Sequence, residues 1–273
     1  MTLLPRELGV VQRLVLQRSA IVLGDDQGYL IESRLAPIAK ESGCDLSALV
    51  ARIQREPYGG LHDRVVEAMT TNETSFFRDR HPFTAVQQHA LPELLLSRAN
   101  QRRLRIWSAA CSSGQEAYSL LMLMWDAFPL LKLWDLKVLG TDFSKKMVAR
   151  AKEGVYTQLE VGRGLPSSFL VKYFDRHAMN FRVREDLRKR TEWHVLNLAE
   201  LGRNIGHFDL IFLRNVLIYF SPETRARVLE SIARSMHAGS YLFLGSTETT
   251  YGCSDTLVPV MIGKTTAYKL KAR

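Results

Sequence analysis

The chain has 273 residues, 46% apolar and 24% charged, a composition that excludes disordered and collagen-like readings and allows one large domain or a domain with a small satellite. No apolar run approaches the ~18 residues needed to span a bilayer. Residues 1–75 hold 8 Lys+Arg against 10 Asp+Glu, so the net charge of +9 arises entirely from the remainder, much of it from 78–105 and 176–190.

That basic body suits RNA, an acidic membrane surface or an acidic protein equally, and does not choose among them. The amino terminus meets charge and proline too early for a secretory leader. Cys44, Cys111 and Cys253 stand apart with no CxxC pair, which argues against a disulfide framework or a zinc site. A cytoplasmic protein without membrane insertion is expected.

In chain order, residues 1–70 read as a helical domain. Leu8, Val11, Leu14 and Val15, and then Leu46, Leu49, Val50 and Ile53, recur at helical spacing. Gly24–Gly28, Gly43 and Pro57–Gly60 separate the helices, and a further helix over Leu61–Met69 leads into a linking segment, 71–102. From Arg103 strands alternate with helices, the pattern of a mostly parallel sheet covered on both faces. Strands are expected at Leu104–Ala109, Leu136–Gly140, Trp193–Leu196, Asp209–Leu213 and Tyr241–Leu244. Helices are expected from Gln115 to Asp126, from the Ser144 cap to Glu153, and from Pro222 to about Met236 with Gly239 closing it. Val258–Ile262 and Ala267–Leu270 read as a closing hairpin. Phe181–Arg184 and Thr191–Val195, around a charged stretch, read as a small antiparallel β appendage at about 176–195.

Open α/β sheets bind ligands beyond the carboxyl ends of their strands. After the first strand comes Ser108-Ala109-Ala110-Cys111-Ser112-Ser113-Gly114-Gln115-Glu116, whose small residues let backbone approach a ligand, although tight strand–helix packing also accounts for them. Its single glycine fits neither GxGxxG nor GxxxxGK[ST]. After the second strand, Asp142 can accept hydrogen bonds from both ribose hydroxyls of an adenosyl ligand, or can simply cap a helix entrance. Asn197 offers a donor and an acceptor that suit an adenine edge. Arg214-Asn215-Val216-Leu217-Ile218-Tyr219-Phe220 places polar groups at the mouth of a very apolar strand.

Upstream lies Asn72-Glu73-Thr74-Ser75-Phe76-Phe77-Arg78-Asp79. Joined in order with SAACSSGQEAYSL, LGTDFS, LNL and FDLIFLRNVLIYF, this segment resembles the chemotaxis receptor glutamate O-methyltransferase family, CheR type, over about Leu8–Leu270. The resemblance implies a Rossmann-like class I S-adenosylmethionine methyltransferase domain over 103–273, a helical amino-terminal domain and a β appendage. It implies S-adenosylmethionine as cofactor, S-adenosylhomocysteine as product, no metal, and the cytoplasmic domain of a chemoreceptor as partner. Carried over by motif, Asn72, Thr74 and Arg78 reach the cofactor from the linker side. Glu116 and Asp142 take its amino and ribose groups, and Asn197 and Leu198 its adenine. Arg214 and Asn215 line the floor beside the reactive methyl, and Arg78, Asn215 and Tyr219 are the catalytic candidates.

Two alternatives stay open: a nucleic-acid methyltransferase, opposed by Val216-Leu217-Ile218 after Asn215 where amino-group base methylation commonly uses an [DN]PP[YF] loop, and a non-catalytic binding module. Arg34, Lys40, Arg52 and Arg55 are candidates for a receptor-docking face. The glycine-free stretch Tyr173–Arg182 resembles the shorter appendage loop of members that do not use a receptor carboxyl-terminal peptide.

Overall fold

Each apolar run of the first seventy residues becomes a helix in the computed structural model, which describes residues 2–202 and 205–272. These helices are α1 Pro5–Ser19, α2 Gly28–Glu41, α3 Leu46–Arg55 and α4 Gly60–Met69. Asp45 opens α3 by accepting a hydrogen bond from the Ala48 amide at 2.7 Å, which satisfies one of the orphan donors at the helix start. Val11, Val15, Ile31, Leu35, Leu49 and Val65 are fully buried in the common core. Arg34 donates to the Met69 carbonyl at 2.7 Å and the Thr70 carbonyl at 3.2 Å, tying α2 to the end of α4.

The chain divides into two compact units, Met1–Thr71 with Tyr219–Arg225, and Asn72–Ile218 with Ala226–Arg273. The late segment enters the helical unit through an antiparallel bridge between Ile21 and Phe220 and a 2.9 Å hydrogen bond from the Val22 amide to the Tyr219 carbonyl. A single bridge between positions so far apart leaves no local pattern, so nothing in the sequence announced it.

The second unit begins with a helical stretch inside the expected linker. Helix α5 His81–Ala85 and helix α6 Leu91–Arg98 are joined by a wider π turn, Val86–Ala90. Pro92 has no amide hydrogen to donate back along the helix, which favours such a local widening. Strand β1 Arg103–Ala109 leads to α7 Gln115–Ala127, in which Gln115 and the whole run Ala117–Trp125 are buried. A helix apolar on every side must be enclosed, and α7 is. Then follow β2 Asp135–Asp142 and α8 Lys145–Glu153, the latter capped by Ser144, whose hydroxyl accepts from the Met147 amide at 3.1 Å.

Next come β3 Val155–Tyr156, α9 Gln158–Gly162, α10 Ser167–Tyr173, β4 Phe174–His177, β5 Asn180–Val183 and α11 Glu185–Arg188. The remaining elements are β6 Thr191–Val195, β7 Phe208–Leu213, α12 Pro222–Arg234, β8 Met236–Leu244, β9 Leu257–Ile262 and β10 Thr265–Leu270. The main sheet runs β6-β2-β1-β7-β8-β10-β9; its first five strands pair in parallel, and the β9–β10 hairpin returns antiparallel.

Two expectations are corrected. The appendage is a three-stranded sheet, β3-β5-β4, and Thr191–Val195 is no part of it: that strand is the parallel edge of the main sheet, in register with Val138–Asp142. Trp193 crosses β2 at Gly140, where any side chain would put its Cβ within 2.2 Å of the indole, so this edge strand carries a large ring where simple alternation is expected. Gly239 does not close α12, which ends at Arg234. It sits at φ 91 inside β8, where the pairing with β7 jumps from Phe208–Met236 to Leu210–Tyr241. The β4–β5 hairpin turns through Ala178 and Met179 alone.

Candidate active site

The strand ends expected to carry ligand groups are tied together by hydrogen bonds. Beyond β1 the backbone runs through Ala110 at φ 57 and Ser112 at φ 48, left-handed conformations that non-glycine residues adopt at a cost. Asp142, at the end of β2, holds this turn. Its Oδ2 accepts from the Ser112 amide at 2.7 Å and its Oδ1 from the Ser144 amide at 2.9 Å. Ser112 Oγ donates in turn to the Asn72 carbonyl at 2.8 Å, and the buried Tyr156 hydroxyl donates to the Ser113 carbonyl at 2.7 Å. Burial pushes the Tyr156 phenol well above its usual range. Burial, reinforced by Asp142 and Glu116, does the same to the Cys111 thiol, so both groups stay protonated.

A second network centres on Arg214, at the end of β7. Its side chain is 1% exposed, yet its guanidinium donates to Glu116 Oε2 at 3.0 Å, to Asp79 Oδ2 at 2.6 Å and to the Arg78 carbonyl at 3.1 Å. Phe83 and Phe212 flank it, with ring centroids at 5.9 and 5.8 Å. Ser108 Oγ donates to the other Glu116 oxygen at 2.7 Å. The segment these bonds secure is itself strained: Phe77, Asp79 and Arg80 have φ of 50, 65 and 44. Thr74 and Arg78 line a cavity of about 320 Å³ formed by residues 73–80 with Arg163 and Gly164, and Arg78 Nη1 donates to the Glu73 carbonyl at 3.0 Å.

Asn197 caps the turn Leu198–Glu200, its Oδ1 accepting from the Ala199 amide at 3.1 Å, with Leu198 buried beside it. Asn215 takes φ 57, a conformation Asn tolerates better than most residues. Tyr219 belongs to the helical unit. Sequence reasoning missed three participants. Asp79 stood in the quoted motif without a role, Ser108 was read only as a small residue, and Glu248 was not singled out. Glu248 accepts the backbone amides of Asn215, Val216, Leu217 and Gly245 at 2.7–2.9 Å.

These residues fit an adenosyl ligand on chemical grounds. Asp142, at the end of β2, presents a carboxylate, the acceptor type that suits ribose hydroxyls. The turn over Ala109–Gly114 presents backbone with little side chain in the way. The buried Nε–H of Arg214 has no acceptor among the described residues, which leaves one polar group for a bound molecule to satisfy.

Five parallel strands, a terminal antiparallel hairpin and a small-residue turn followed by an acid at the next strand end give this unit a Rossmann-like α/β fold. The sequence profile described as "CheR methyltransferase, SAM binding domain" matches residues 72–264. Chemotaxis protein methyltransferase 1 of Pseudomonas aeruginosa is 43% identical over 266 residues, covering 95% of this chain and 96% of that protein. Chemotaxis protein methyltransferase Cher2 of Pseudomonas putida is 40% identical over the same shares, and a Vibrio anguillarum chemotaxis protein methyltransferase is 37% identical over 99% and 98%. The chain belongs to the CheR methyltransferase family.

Proposed function

We propose that this enzyme methylates glutamate side chains on the cytoplasmic helices of chemoreceptors, forming methyl esters that adapt the receptor's signalling, and that it works in the cytoplasm. The observation that carries the reading is the Glu116–Arg214–Asp79 network. It supports a built site at the strand ends in a chain that is 43% identical to a protein called chemotaxis protein methyltransferase 1.

Bound S-adenosylmethionine supplies an electrophilic methyl on a sulfonium. A glutamate carboxylate, with a side-chain pKa of about 4.3, is already an anionic nucleophile at neutral pH. The chain therefore needs no base to activate it, and the displacement as written needs no metal. Its residues have two tasks, to align the reactants and to strip water from the acceptor. In this reading Asp142 holds the ribose, Glu116 the amino group, and Asn197 with Leu198 the adenine. Asn72, Thr74 and Arg78 close over the cofactor, while Arg214 and Asn215 form the floor beside the transferred group. The orienting role expected of Tyr219 rests on the family resemblance.

For the acceptor, two of the four candidate docking cations are already engaged. Arg34 is bonded to the Met69 and Thr70 carbonyls, and Arg52 pairs with Glu56 at 2.8 Å. Lys40 and Arg55 are the exposed pair that we retain. The two-residue β4–β5 turn supports a member that finds its receptor without a carboxyl-terminal peptide tether. Mass spectrometry of a receptor cytoplasmic fragment after incubation with enzyme and cofactor tests the substrate: the added methyl should map to glutamate. A methyl group on lysine, or none on the fragment, would remove this reading.

A further inference from the structure

We propose that Glu248 is a positioning residue for methyl transfer, its carboxylate anchoring the turn that carries Asn215. The inference rests on the methyltransferase reading above. Oε2 accepts the amides of Asn215 at 2.8 Å and Gly245 at 2.7 Å, and Oε1 those of Val216 at 2.9 Å and Leu217 at 2.7 Å. Four backbone donors from the ends of two adjacent strands, β7 and β8, converge on one side chain.

Three successive amides aimed at one point form an anion-binding concavity, and this chain fills it from within. The consequence is local. Arg214 is gripped through its side chain by Glu116 and Asp79, whereas the residues after it are gripped through their main chain by Glu248. Between the two grips Asn215 is held in the left-handed region. Gly245 makes the clamp possible: a Cβ there would lie 2.6 Å from Glu248 Oε2 and 2.9 Å from both the amide nitrogen and Nδ2 of Asn215. Only a carboxylate of this length serves. Glutamine would turn an NH₂ donor toward backbone donors, and aspartate is a methylene short.

The test compares wild type with Glu248→Gln, Glu248→Ala and Gly245→Ala; the last disturbs the same turn without removing the charge and covers any Glu248 variant that does not fold. Thermal unfolding and calorimetric S-adenosylhomocysteine binding establish that each variant is folded and still takes the product. Displacing a reacting group by about 1 Å can cost roughly 100-fold, so kcat on a receptor fragment should fall ~10- to 100-fold in the folded variants, with a smaller change in KM. Folded variants whose kcat stays within about twofold of wild type would overturn the proposal, even with a lowered Tm, because that is what a merely structural contact gives. The amide resonances of Asn215, Val216, Leu217 and Gly245 should also shift together in Glu248→Gln; unmoved resonances would overturn it independently. A wild-type enzyme inactive on the receptor would defeat the functional reading instead, and the resonances would still decide the clamp.

Discussion

Asp142→Asn separates the loop anchoring seen in this carboxylate from the ribose binding that we propose for it. In the wild type, its oxygens accept the Ser112 amide at 2.7 Å and the Ser144 amide at 2.9 Å, and the residue is 8% exposed. Asparagine keeps one acceptor and points an NH₂ at the other backbone donor. Losing one hydrogen bond to a charged group costs about 1.5–3 kcal/mol. A domain of this size loses roughly 2–4 °C in Tm per kcal/mol, so the ligand-free variant should melt about 3–12 °C lower. If Asp142 holds the ribose as proposed, the variant loses a hydrogen bond of the same energy there, and S-adenosylhomocysteine binding should be about 10- to 150-fold weaker. Thermal unfolding reads the first effect, and calorimetry well below the variant's Tm reads the second. Unchanged affinity in the folded variant would refute the cofactor role and leave Asp142 as a loop anchor. An unchanged Tm would refute the account of the loop.

Arg214→Met leaves Glu116, 13% exposed, without its cation, and should destabilise by about 3–5 kcal/mol; Asp79 is more exposed, so solvent screening keeps its share small. Adding Glu116→Gln should recover part of that loss in urea unfolding, and strictly additive losses would contradict the pairing. Away from the site, Asp209 raises the pKa of His237 by accepting its hydrogen bond, against the opposing effects of burial and nearby Arg98. Burial alone would push Asp209 up, but the hydrogen bonds from His237, the Arg105 amide and Arg98 more than offset it and hold the acid below its ordinary value. The raised His contributes stability that is full below about pH 6.5 and lost as pH rises through its folded value; the depressed Asp contributes above about pH 4 and loses it on acidification. The stability difference between wild type and His237→Gln should therefore be larger at about pH 5.5 than at about pH 8.5, and the opposite trend in urea unfolding would contradict the pairing.

What was legible in the sequence was local. The strands ending at Ala109, Asp142 and Leu213 announced themselves as short apolar runs, and the helix starts at Ser144 and Pro222 by their capping chemistry. Asp142 and Arg214 were named as candidates from their position immediately after such strands, whereas Glu116 was named through the family resemblance. The missed features depend on partners distant in the chain. Glu248 looks like an ordinary loop acid until β8 is laid beside β7, and Asp79 gains its partner only when Arg214 arrives 135 positions later. Thr191–Val195 was assigned partly to the appendage because pairing, not pattern, decides which sheet a short strand joins. The two prolines at 82 and 92 hid the helical stretch 81–98, whose π turn breaks the usual period.

In the function we propose, the methyl acceptor is a receptor glutamate. Tritium from S-adenosyl-L-[methyl-³H]methionine should enter a chemoreceptor cytoplasmic fragment and be released as volatile methanol by mild alkali, as a carboxyl methyl ester requires. Replacing the acceptor glutamates by alanine should abolish the incorporation. Label that resists alkali, or that enters only RNA, would contradict the account.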